Sequence, residues 1–114
     1  MTTIYHNPRC SKSRQTLALI EEKGITPNII LYLETPPDET TLKGILQKLQ
    51  LSARDIMRTG ESEYKDNQLK DSSLSEAELI SAMVKFPKLI ERPIVVKGDK
   101  AILGRPPENV LKLI

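Results

Sequence analysis

The sequence predicts an α/β fold built on one mixed four-stranded sheet, ordered β-α-β and then β-β-α, with helices inserted between the two halves. Three observations predict it. A short β-prone segment, Thr2 to Tyr5, is followed by good helix formers and then by the nearly continuous apolar run 28–33 (NIILYL). Strand, helix and strand in that order imply a right-handed parallel unit. Near the other end, Ile94-Val95-Val96 and Ala101-Ile102-Leu103 flank the tetrad Lys97-Gly98-Asp99-Lys100, the pattern of a β-hairpin.

The elements follow in order. The first strand runs into a turn at Asn7 and Pro8. A helix over 11–23 carries Leu17 and Ile20 on one face, with Gly24 just past its end as a stop. The NIILYL run has the length and composition of a strand buried on both faces. Pro36 and Pro37 end it, and Asp38 caps a helix whose Leu42, Ile45, Leu46 and Leu49 repeat at helical spacing. Ser52-Ala53-Arg54-Asp55 is a capping box with aspartate in place of glutamate, opening a short helix expected to end near Thr59-Gly60. Residues 60–73 are polar and weakly patterned and read as loop, with at most one helical turn around Tyr64. Ser75 to Glu78 is a second capping box, and the helix it opens carries Leu79, Ile80, Ala82, Met83 and Phe86 before Pro87 stops it. After the hairpin, Gly104 to Pro107 turns into a last short helix with Val110, Leu111, Leu113 and Ile114 as its apolar face. This is a thioredoxin-like order, a three-layer fold with the middle helices, about 38–87, as an insertion.

Composition sets outer limits. At 114 residues the chain is one domain's worth, expected to form a single domain over 1–114 and to bury roughly 60–70% of its unfolded surface without covalent staples. A net charge of +2, from 17 basic and 15 acidic side chains, gives no footprint for nucleic acid or a membrane surface. One cysteine, Cys10, excludes an internal disulfide, and one cysteine with one histidine, His6, excludes a Cys/His zinc cluster. No leader or membrane-length apolar segment is visible, so the chain reads as cytoplasmic.

Cys10 sits between a strand end and a helix start, where free backbone N–H groups and the helix dipole favour an anion. That position lowers a thiol pKa, and Arg9, Lys12 and Arg14 are cations in the same segment. His6 either helps hold the thiolate, by a hydrogen bond or as imidazolium, or simply closes the strand. Ser13 stands where a dithiol oxidoreductase carries its second cysteine, so any thiol that resolves a Cys10 adduct comes from another molecule. Ser11 and Ser13 either donate hydrogen bonds to the site or cap the helix.

The segment His6-Asn7-Pro8-Arg9-Cys10-Ser11-Lys12-Ser13-Arg14 resembles the active-site loop of glutaredoxin-coupled arsenate reductases. Arg58 in IMRTGE, Arg92 in ERPIVV and Arg105 in GRPPENV are further matches in chain order. The resemblance implies that Cys10 attacks arsenate, that Arg58, Arg92 and Arg105 bind the oxyanion, and that a cis peptide precedes Pro93. His6, Ser13, Arg14 and Pro93 would be supporting residues. It further implies glutathione as co-substrate and glutaredoxin as partner, with no bound cofactor and no metal. Many family members carry Cys-Gly-Thr-Ser where this chain has Cys10-Ser11-Lys12-Ser13. Two other functions share the fold: a transcription regulator that binds RNA polymerase, and a monothiol glutathione-dependent oxidoreductase. The regulators often carry a Cys-x-x-Cys switch, which Ser13 removes here.

Overall fold

The computed structural model describes residues 1–114 and divides into two compact units, Met1–Thr35 with Arg92–Ile114, and Pro36–Glu91. The first unit contains the sheet. Its strands are β1 (Thr2–His6), β2 (Asn28–Leu31), β3 (Ile94–Lys97) and β4 (Lys100–Leu103), in the spatial order β2-β1-β3-β4. β2 runs parallel to β1, whereas β3 is antiparallel to both β1 and β4. The sheet is therefore the mixed one that the order of apolar runs predicts.

Helix α1 (Ser11–Glu22) connects β1 to β2 and is followed, after its C-cap Lys23, by Gly24, whose φ of +76° is a conformation that favours glycine. Ile4 of β1, Ile20 of α1, Val95 of β3 and Val110 form a fully buried cluster, with Leu17, Ile25 and Ile102 packed against it. Val110 belongs to a closing 3-10 helix, Pro107–Lys112. The expected apolar face is only partly right there, because Leu111 is exposed. At three residues per turn the positions it presents differ from those of an α-helix.

β2 departs further from expectation. It ends at Leu31, and Ile29 and Leu31 are 45% and 37% exposed, as is Leu33 at 40% just beyond. The run is apolar enough for a central strand, but the sheet order puts it at the edge, paired only with β1. Hydrophobic periodicity reports the character of a strand and not its place in the sheet.

The Arg92–Pro93 and Arg105–Pro106 peptides are cis. The first is the one the resemblance implies, and the second was not foreseen. Between these prolines a close contact locks α1 to the sheet. Thr16, fully buried in α1, donates its hydroxyl to the Lys12 carbonyl at 2.8 Å and faces the Gly104 carbonyl at 3.4 Å. A Cβ on Gly104 would lie 2.5 Å from Thr16 Oγ1 and 2.7 Å from Pro93 Cγ. We therefore expect Gly104→Ala to cost about 1–3 kcal/mol through overpacking. A urea midpoint equal to that of the parent protein would show that this contact yields freely.

The second unit is helical. α2 (Glu39–Leu49) is capped by Asp38, which accepts the Thr41 N–H at 2.7 Å, and buries Leu42, Ile45 and Leu46. It packs on α5 (Glu76–Lys85), which buries Leu79, Ile80 and Met83 after the Ser75/Glu78 capping box. α3 (Ala53–Ile56) has the predicted Ser52/Asp55 box but stops before Thr59, because Met57 is extended and bridges to Ile90. The expected loop over 60–73 contains a short helix, α4 (Ser62–Asp66), with no buried residue. Having no apolar stripe, it leaves no periodic signal. No helix of the chain is long and apolar enough to cross a membrane.

Candidate active site

The residues from His6 to Arg14 fold into a turn that delivers Cys10 to the start of α1. Asn7 and Pro8 are suited to the first two positions of a β-turn, and the Cys10 N–H donates to the Asn7 carbonyl at 3.0 Å. The Asn7 side chain accepts the Arg9 N–H at 3.0 Å. Arg14 reaches back from α1 and donates to the Pro8 carbonyl at 2.9 Å. Cys10 itself is the N-cap residue of α1, partly exposed, with its carbonyl accepting the Arg14 N–H at 3.0 Å.

Three groups counter the effect of burial on the Cys10 thiol. Partial burial pushes the thiol pKa up, but the backbone N–H groups of Ser13 and Lys12 and the guanidinium of Arg92 outweigh it and hold the value below that of an ordinary cysteine. The cation that reaches the thiol therefore comes from the far end of the sequence. Arg14, a neighbour in sequence, is occupied with the Pro8 carbonyl. The helix contributes through specific N–H groups of its first turn, and no acidic side chain there competes for them. Alkylation of Cys10 by iodoacetamide should therefore reach half its maximal rate below the free-cysteine value of about 8.5. A pH profile matching that of a free thiol would contradict this arrangement.

The structure decides the parts of His6 and Ser13, which the sequence left open. Both are buried, and His6 Nδ1 lies 2.6 Å from Ser13 Oγ. The same oxygen accepts the Asn7 N–H at 3.1 Å. Burial and the nearby Arg14 charge lower the His6 pKa, so the ring is neutral at pH 7 and is not an imidazolium partner of the thiolate. Ser13 acts on the sulfur through its backbone N–H, while its hydroxyl joins His6 to the turn. His6 and Ser13 thus hold the shape of the loop.

Arg92 and Arg105 flank the tight contact between Pro93 and Gly104. Gly104 N–H donates to the Pro93 carbonyl at 2.9 Å, and Arg105 Nη1 donates to the Arg92 carbonyl at 3.3 Å. Two guanidinium-bearing residues, each followed by a cis proline, are thereby tied together, and one of them touches the thiol. A partly exposed thiolate beside planar, permanently charged donors is an arrangement that can attack and hold a tetrahedral oxyanion. Thr16 and Gly104, which set this spacing, were missed at the level of sequence. A threonine in mid-helix and a glycine beside Arg105-Pro106 were the available signals.

Arg58 belongs to the helical unit. Its Nε is 3.3 Å from Glu61 and its Nη1 2.7 Å from Glu91, all three side chains being about three-quarters buried. Arg58 N–H also donates to the Leu89 carbonyl at 2.7 Å. No group of three or more His, Cys, Asp and Glu side chains gathers where it could hold a metal ion.

Comparison with known proteins bears on this geometry. The sequence model described as the ArsC family matches residues 5–113. The chain is 59% identical over 112 residues to the uncharacterised protein YfgD of Escherichia coli K12, covering 97% of this chain and 94% of that one. It is 52% identical to an arsenate reductase of Haemophilus influenzae, covering 97% of each chain. Among solved structures, an arsenate reductase from Vibrio cholerae superposes with a TM-score of 0.97 at 54% identity, covering 99% of this chain and 97% of that one.

Proposed function

Because the chain belongs to the ArsC family, we propose that it is an arsenate reductase that uses Cys10 as its nucleophile and takes further thiols from glutathione and glutaredoxin. The observation that carries this reading is the placement of the partly exposed Cys10 at the N-cap of α1, with Arg92 acting on its thiol. The names of the relatives supply the substrate.

The physical problem is repulsion. A thiolate approaching anionic arsenate pays roughly 4 kcal/mol per unit charge pair at 4 Å in an effective dielectric near 20. Arg92, already on the thiolate, and Arg105, tied to the Arg92 carbonyl, offset that charge as the two anions meet. The resemblance adds Arg58 as a third guanidinium for the oxyanion, with Nε and Nη1 oriented by Glu61 and Glu91.

In the first step the Cys10 sulfur forms a bond to arsenic, and an oxygen leaves as water after protonation. A glutathione thiolate then adds to arsenic, expelling a second water. Glutaredoxin attacks the glutathione sulfur, and the electron pair of the sulfur–arsenic bond stays on arsenic, reducing As(V) to As(III). Water releases arsenite and returns Cys10 as a thiol. Over the cycle, arsenate and two thiols yield arsenite, one disulfide and one water. A chain with one cysteine must obtain both electrons outside itself, and the cytoplasm is the compartment where glutathione keeps thiols reduced.

The test is arsenate-dependent NADPH consumption in the presence of glutathione, glutathione reductase and glutaredoxin. Consumption that needs all components supports the reading. Absence of arsenate-dependent turnover with purified protein refutes it.

A further inference from the structure

The first unit has a cleft of about 370 Å³ on the flank of the Cys10 turn, with Pro8 and Arg9 on one side and Leu31, Leu33 and Glu34 on the other. Its volume is in the range of small-ligand sites, about 300–1,000 Å³. His6, which is buried, also lines it.

Four observations describe what fits there. Leu31 and Leu33 are the side chains that the edge position of β2 leaves 37% and 40% exposed, so the cleft offers apolar surface that nothing in its own unit covers. Arg9 and Glu34 are exposed charges of opposite sign on different elements, and neither takes part in an ion pair. The Glu34 backbone is held in place, its N–H donating to the Leu31 carbonyl at 2.9 Å. Finally, the turn that forms one wall is the turn whose next residue is Cys10. A ligand for this cleft carries a carboxylate for Arg9, an ammonium for Glu34 and a short aliphatic stretch for the leucines.

We propose that this cleft binds the thiol co-substrate, a small zwitterionic peptide thiol of the glutathione class, and presents it beside Cys10. The inference deepens the function proposed above and rests on it, since it requires that an external thiol complete the cycle. It gives a role to the exposed end of β2 and explains how a single-cysteine site can keep a second sulfur at hand.

Two experiments on the full chain decide it. In a titration with S-methylglutathione, which cannot react, the amide resonances of Asn7, Arg9, Leu31, Leu33 and Glu34 should shift together and saturate. Absence of shifts at these positions overturns the proposal. In the coupled assay, Glu34→Lys and Leu33→Asp should each raise the KM for glutathione about tenfold while leaving the KM for arsenate and the alkylation profile of Cys10 within twofold of the parent. An unchanged glutathione KM in both variants, or an equal rise for arsenate, overturns it. So does a rise confined to the glutaredoxin KM, which would put a protein in the cleft. If the parent protein fails to reduce arsenate, the functional reading falls, and the titration, needing no turnover, still decides the cleft by itself.

Discussion

Cys10→Ser should lower arsenate-dependent turnover by about 10⁴-fold or more, the scale seen when a covalent nucleophile is removed. The expectation is this large because nothing in the chain can substitute. There is no second cysteine, and Ser13, which stands where a dithiol motif carries one, has its hydroxyl engaged with His6 and Asn7. A serine at position 10 would sit under the same N–H groups, yet those donors lower a thiol into the range where it ionises and leave an alkoxide out of reach. Folding should be unaffected, since Cys10 is partly exposed and makes its cap through backbone atoms. Residual turnover above one per cent in a correctly folded variant would mean that arsenic is reduced without a sulfur–arsenic bond to this residue.

Arg92→Ala should produce the second largest loss, about 10- to 100-fold in kcat/KM for arsenate. A hydrogen bond to a charged group contributes about 1.5–3 kcal/mol, and Arg92 supplies one to the thiolate together with its charge. The sign of the pH effect follows. With Arg92 removed, burial still raises the Cys10 pKa while one of the influences lowering it is gone, so the alkylation midpoint must move to higher pH and the thiolate fraction at neutral pH must fall. Activity should then partly recover as the pH rises. Arg92→Lys should lie between the two, keeping the charge and losing the planar fork. An alkylation midpoint unmoved in Arg92→Ala would show that the N–H groups of α1 hold the thiolate unaided.

What could be read from the sequence was mostly local. The Asn7-Pro8 turn, the placement of Cys10 at a helix start, the Asp38 cap and both capping boxes depend on residues within about four positions of each other, and each is present in the structure. The hairpin and the parallel β1/β2 pair followed from apolar runs and chain order. Properties that depend on distant partners were harder. The distance between Arg92 and Cys10 is closed by the pairing of β1 with β3, so chain order alone did not place that arginine at the thiol. Glu61 as a partner of Arg58 is visible as a spacing of three, but Glu91 comes from 33 residues away. The state of His6 was open in the sequence because burial decides it, and burial belongs to the folded chain. The exposure of β2 was illegible for a related reason: an apolar strand at an edge and one in the centre have the same composition.

The Ser13 hydroxyl limits how this protein could change its chemistry. Converting Cys10-Ser11-Lys12-Ser13 into a dithiol motif takes a single codon change on paper, and the product would carry its own resolving sulfur. The oxygen at position 13 nevertheless joins a neutral buried imidazole to the N–H of Asn7. Sulfur is larger and a poor acceptor, so a thiol there would loosen the turn that aims the first one. A self-sufficient descendant would have to rebuild the support around His6 and Asn7 before the second cysteine became an advantage. The dependence on borrowed thiols that we propose is thus anchored by packing as well as by the absence of a residue.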